Sequence, residues 1–179
     1  VVQKEMYTFM DGEDSITLRP EGTAGVARAL IENGKYGDTM PQKYYYIMSC
    51  FRHEKPQAGR SREFYQFGVE MFGTSKASAD ATVISIADTL FKRLGVNARL
   101  NINSIGCPEC RARYNQALKE YFTQYKDRLC PTCLTRLEKN PMRLLDCKSP
   151  DDHKIAEGAP KITDYLCEEC DTHFASVKE

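Results

Sequence analysis

The chain has 179 residues, 41% hydrophobic and 28% charged, and its 25 basic and 25 acidic side chains cancel to a formal net charge of zero. That is enough chain to bury a core, and the balance is that of a soluble cytoplasmic protein rather than a disordered or membrane-spanning one. No apolar run approaches the roughly 18 residues of a membrane helix, and without a basic excess any contact with nucleic acid is expected to be local.

"MYTFMDGEDSITLR" reads as two short strands, 6–10 and 15–19, around an acidic glycine-containing turn. "RPEGTAGVARALIENG" follows as a turn and a helix, with Thr23 as N-cap and Gly34 as the stop. Residues 43–51, rich in Tyr and Ile, make a strand and 64–72 a second, joined by a long polar connection of the kind that often carries function. "TSKASADATVISIADTLFKRLG" is a helix with apolar positions at Val83, Ile86, Ala87, Leu90 and Phe91. "VNARLNINSIG" alternates as a further strand, and the remainder from Cys107 is mostly helical, broken at Pro131, Pro141 and Pro160. Strand pairs mixed with helices on this scale predict an α+β fold with an antiparallel sheet flanked by helices. The opening "VVQKEMYTF" lacks an initiator Met and suggests a piece of a longer protein.

Side chains alternate across a strand, so Phe64, Gln66, Gly68 and Glu70 share one face and Tyr65, Phe67, Val69 and Met71 the other. The second face is expected to be core. The first offers an aromatic platform, an amide, a gap and a carboxylate, which suits a pocket, and Arg52 and Glu54 on the preceding strand point the same way. A solvated face with a cross-strand ion pair is the plainer reading of such alternation. Two details favour a ligand: the planar fork of Arg52 suits phosphate or carboxylate, and the loop "KPQAGRSRE" adds three more cations.

These residues carry a resemblance. "FRHE", a loop, then "GRSREFYQFGVE" is similar to motif 2 of the class II aminoacyl-tRNA synthetases, in the version of the histidyl-tRNA synthetase family. "TLRPEGTAG" resembles that family's amino-acid-binding segment, and "INSIGCPECRARY" and "NPMRLLDCK" its later catalytic-domain segments. The resemblance covers nearly the whole chain in the family's order and implies that residues 1–179 are a partial class II catalytic domain, with motif 1, motif 3 and the anticodon-binding domain absent.

It implies further that histidine is activated with ATP and Mg2+ and passed to tRNA(His), in a parent enzyme that is a homodimer. Arg52 would be the catalytic residue, holding the α-phosphate and the amino-acid carboxylate as charge develops. Glu54 would accept from the adenine amino group, Phe64 would stack on adenine, and Arg62, with Arg60, would approach the outer phosphates or the tRNA acceptor end. Glu21, Thr23 and Gln66 would bind the histidine ammonium, with Gly22 allowing close backbone approach, and Glu70 would accept from the imidazole below the gap at Gly68. Glu21 also suits a helix start through the dipole. His53 alternates away from Arg52 and Glu54 and is expected to face the core or the far side of the sheet, His153 and His173 lie in polar helical surroundings, and none is expected as a general base.

"CPEC" at Cys107–Cys110 and "CPTC" at Cys130–Cys133 form C-x2-C-x19-C-x2-C, a spacing that fits a structural zinc site, and "CEEC" at Cys167–Cys170 offers a replacement for either pair. Free thiols are the alternative, since positions i and i+3 share a helix face by default. Cys50 and Cys147 read as small buried apolar residues. A non-catalytic relative, the synthetase-like regulatory subunit of ATP phosphoribosyltransferase, would be favoured by loss of the motif 2 Arg or Glu, and both are present. A zinc-ribbon interaction module would account for the cysteines alone and leave Glu21 to Glu70 unexplained.

Overall fold

In the computed structural model, which describes residues 5–179, Gly12 has φ 63°, the left-handed value that a two-residue hairpin asks of its first central residue. It joins β1 (Thr8–Asp11) to β2 (Asp14–Thr17), paired antiparallel with Thr8 opposite Thr17. α1 (Thr23–Glu32) follows and ends as expected, with Gly34 left-handed just beyond its last turn. Its start differs from expectation. Gly22 holds the cap position and Thr23 is already helical, because the Glu21 carboxylate takes the Thr23 and Ala24 amides at 2.6 and 3.1 Å. The capping work moves to Glu21, and the Thr23 hydroxyl is released.

β3 (Gln42–Phe51) and β4 (Glu63–Phe72) form a separate antiparallel ribbon. The register sets Cys50 opposite Phe64, Met48 opposite Gln66, Tyr46 opposite Gly68 and Tyr44 opposite Glu70. Here the expected inside and outside hold only in part: Val69 and Met71 are half-buried, as are Phe64, Gln66 and Glu70 on the polar face. Tyr45, Ile47, Tyr65 and Phe67, on the face read as core, are 74, 67, 79 and 44% exposed, whereas Tyr46 and Cys50 on the polar face are buried. A hydrophobic face becomes core only under a second layer. α2 (Ala77–Arg93) lies beside Phe67, where Ala81, Ile86 and Leu90 line an open groove of about 600 Å³ with it.

The chain divides into two compact units, the first ending at Arg93 and the second spanning Leu94–Glu179. In the second, the expected strand at 96–106 does not form. Alternation chooses which side chains share a face, but a strand also needs an edge to bond, and among the described residues none pairs with it. α3 (Pro108–Thr123), α4 (Pro131–Lys139), α5 (Pro150–Glu157) and α6 (Glu168–Lys178) make up the rest, with short 3-10 turns between. Pro131 opens a helix at its first position, where no amide is lost. Tyr114, Leu118 and Phe122 repeat every fourth residue on α3 and meet Cys133, Leu137, Leu144, Ile155 and Ile162 in one core.

Two antiparallel ribbons with helices make the fold α+β, as the sequence implied. Among the described residues no helix is long and apolar enough to cross a membrane. The Tyr121 hydroxyl donates to the Ile155 carbonyl at 2.8 Å and so fastens α3 to α5. Tyr121→Phe is expected to cost the chain about 1 kcal/mol, read as a lowered urea midpoint at unchanged slope; an unmoved midpoint would mean that water replaces the bond.

Candidate functional site

The polar face of the β3–β4 ribbon receives the turn that precedes α1. Thr23 donates its hydroxyl to Glu70 Oε1 at 2.7 Å, across 47 residues of sequence. Arg52 Nε donates to the Pro20 carbonyl at 2.9 Å, and the Phe51 amide to the Arg19 carbonyl at 2.9 Å. The 19–23 segment is thereby tied to the ribbon at both of its ends. Between the ties lies Tyr46, a residue that sequence reasoning missed. Its ring passes between Gly22 and Gly68, and a Cβ at either glycine would overlap its atoms. The gap at Gly68 is therefore occupied by Tyr46 rather than open to a ligand, and Gly22 serves the same ring. The signal was present in the register, since Tyr46 is the direct cross-strand partner of Gly68.

Farther along the same face, the Arg52 guanidinium lies 5.0 Å from the centroid of the Phe64 ring, a cation–π distance. The fully buried Cys50 thiol, its pKa raised by burial, donates to Gln66 Oε1 at 3.4 Å. In the connection, Arg60 Nε stands 3.0 Å from Glu54 Oε2, while Arg62 Nε donates to the Glu54 backbone carbonyl at 3.3 Å. Glu54 Oε2 is buried and accepts no aligned hydrogen bond. His53 does not enter a core: it is exposed and meets Tyr7 edge-on at 5.2 Å. His153 sits on the surface of α5, 3.6 Å from Glu157.

A model of the family described as histidyl-tRNA synthetase matches residues 2–109. The chain belongs to the histidyl-tRNA synthetase family. Over 99% of its length it is 58% identical to the histidine–tRNA ligase of Caldicellulosiruptor saccharolyticus and 56% identical to that of Clostridium novyi, and it spans 43% of each. It superposes on apo S. aureus histidyl-tRNA synthetase with a TM-score of 0.72 and 39% identity, covering 97% of this chain and 40% of that one. A Bacillus halodurans structure named as an ATP phosphoribosyltransferase regulatory subunit/histidyl-tRNA synthetase shares the fold, with a TM-score of 0.60 at 23% identity over 99% of this chain and 49% of that one.

In this member of the family the cysteines are grouped differently from the expected set. Cys107 and Cys110 do not join Cys130 and Cys133. The first pair meets Cys167 and Cys170, and the second meets Cys147 and Asp152, with the four ligand atoms of each group within 4.8 Å of one another. Sequence spacing favoured the nearer pair, but the α3–α6 packing brings the farther one. Cys147, expected as an inert apolar residue, is buried but donates its thiol to Asp152 Oδ2 at 3.2 Å. Burial opposes ionisation of Cys110, yet hydrogen bonds from the Cys167 amide and the Cys107 thiol bring its pKa down to about 6. In the second group burial likewise opposes Asp152, and hydrogen bonds from Cys130, Cys133 and Cys147 hold it below the usual carboxylate range.

Proposed function

We propose that the chain supplies the motif 2 half of the adenylation site of a histidine–tRNA ligase, which joins histidine to the α-phosphate of ATP with loss of pyrophosphate and then passes the histidyl group to tRNA(His). The observation that carries this reading is the 2.7 Å bond from Thr23 to Glu70, which sets the Glu21–Thr23 turn and the Gln66–Glu70 strand around one spot beside Arg52. Glu21, Thr23 and Gln66 take the ammonium there, and Glu70 the imidazole. A site made of such bonds rejects amino acids that cannot return them.

Arg52 spends one guanidinium N–H on Pro20; the others face the α-phosphate and the histidine carboxylate. ATP fits the remaining groups: Phe64 is a face for adenine, and the buried Glu54 Oε2, which is ion-paired with Arg60 but accepts no aligned hydrogen bond, is an acceptor for its amino group. Arg60 and Arg62 meet the outer phosphates, with which Mg2+ enters. The chemistry asks for position and charge, and no histidine of the chain acts as base. Keeping Arg52 and Glu54 favours this catalytic reading over the regulatory one.

The test is calorimetric titration of the chain with a non-hydrolysable histidyl-adenylate analogue, the alanyl analogue serving as control. Binding at least about tenfold tighter for the histidyl compound is expected; equal affinities overturn the assigned pocket. Turnover is not expected of these 179 residues by themselves, and histidine-dependent ATP–pyrophosphate exchange by them would contradict that.

A further inference from the structure

Three helices of the second unit begin the same way. Cys107, Cys130 and Cys167 are the cap residues of α3, α4 and α6, and none makes a side-chain capping bond. Cys110, Cys133 and Cys170 follow at the third helical position of each. α5 repeats the plan with an oxygen ligand: Ser149 is its cap, and Asp152 takes the third position. The helix starts then meet in pairs, α3 with α6 and α4 with α5, and Cys147, just before α5, completes the second set.

A thiol is a poor cap, and a cysteine at three such positions has no stability argument of its own. Convergence from separate helices supplies one. The i and i+3 positions of one helix share a face whatever their role, but two helix starts need not point their pairs at each other. A tetrahedral ion with Zn–S bonds of about 2.3 Å sets its sulfurs about 3.8 Å apart. Two of the separations bracket that value, 3.4 Å from Cys107 to Cys110 and 3.9 Å from Cys130 to Cys147, and every pair of ligand atoms in a group lies within 4.8 Å. No pair is a disulfide.

Asp152 is the second, independent sign. It is only 2% exposed, and no cation pairs with it among the described residues. Its partners are the Cys130 amide at 3.1 Å and the Cys147 thiol at 3.2 Å. A carboxylate taken that far from water is costly unless a positive charge meets it. The first group has its own outer support: the Cys167 amide donates to Cys110 Sγ at 3.0 Å, and Arg113 stands 3.8 Å from the same sulfur.

We propose that the second unit holds two structural zinc ions, one on Cys107, Cys110, Cys167 and Cys170 and one on Cys130, Cys133, Cys147 and Asp152. Coordination releases the thiol protons to solvent. Each filled site carries a formal charge of −2, with two helix N-termini aimed at it. Four protein ligands close each site, so neither ion has a position for substrate. The ions clamp α3 to α6 and α4 to α5. The inference is independent of the adenylation reading, since of the eight ligands only Cys107 falls within the family match at 2–109.

The test is metal content of the 179-residue chain, expressed with zinc and dialysed against metal-free reducing buffer. About two zinc ions per chain are expected. Cys170→Ser and Cys147→Ser are each expected to lose one, and Asp152→Asn to release one to a chromogenic chelator at least about tenfold faster. Since a variant can fail to fold, the unmodified chain is also stripped and titrated with Co2+. Saturation at two equivalents, with the visible bands of tetrahedral cobalt thiolate, supports the proposal. Less than about 0.2 zinc per reduced chain together with no cobalt thiolate bands overturns it, as does zinc that survives the loss of both Cys170 and Cys147.

Discussion

Arg52→Ala, made in a full-length ligase that carries this segment, is expected to lower histidine-dependent ATP–pyrophosphate exchange by about 10²–10³-fold, the usual cost of removing a donor aimed at developing charge. In the proposed role the loss should fall on kcat and kcat/KM together, because the Arg52 bonds to the α-phosphate and the carboxylate would strengthen as charge develops on the bridging oxygen. Two further contacts make the variant informative. Arg52 Nε also ties the Pro20 carbonyl at 2.9 Å, and the guanidinium lies over Phe64. A purely structural role would therefore appear as lost stability and a raised KM for histidine, with kcat kept. Arg52→Lys separates charge from shape: the ammonium retains the positive charge but not the fork or the flat face. It should recover less than about a tenth of the exchange rate. A lysine variant with the wild-type rate would reduce Arg52 to a point charge.

The second large effect is expected at Gly68. Its missing side chain is the space that the Tyr46 ring uses, and Gly22 bounds the same ring on its other side. Tyr46 is buried, so it has no free direction in which to swing. Gly68→Ala should cost about 1–3 kcal/mol through this overpacking. It should also weaken the histidyl-adenylate analogue, because a displaced ring pushes on the turn that holds Glu21 and Thr23. Tyr46→Leu removes the obstacle, so the double variant should be more stable than the sum of the single losses by more than about 0.5 kcal/mol. Strict additivity in urea melts would show that the ring and the glycine do not meet.

What the sequence disclosed about the site depended on distance along the chain. The alternation of Phe64, Gln66, Gly68 and Glu70 follows from the strand period, and the register bears it out. Glycine at position 34 stops α1 for a local reason, and it was legible for the same one. Apart from the α1 cap, where Glu21 two residues away displaces Thr23, the failures involve a partner distant in the sequence. Tyr65 and Phe67 are apolar enough for a core, but composition does not say whether a layer covers them. Residues 96–106 alternate like a strand with no edge among the described residues to bond. The C-x2-C pairs announced metal-ligand chemistry, yet which pairs meet is decided by helix packing; Asp152 and Cys147 carried no spacing signal at all. Tyr46 lay between these extremes, since its place between two glycines could have been read once the β3–β4 register was fixed.

The contacts on the polar face also bear on how tightly it can hold anything. Glu54 rests against Arg60, Arg52 against Phe64, and Glu70 receives the Thr23 hydroxyl. A molecule that claims these groups must first displace an internal partner from each. Its binding free energy is then a difference between two sets of similar contacts rather than a sum over one. Such an exchange keeps affinity modest while punishing a poor match severely, because a ligand that breaks an internal contact without replacing it leaves a polar group worse off than before. The resting face is in this sense its own competitor, and any ligand of the proposed pocket is measured against it.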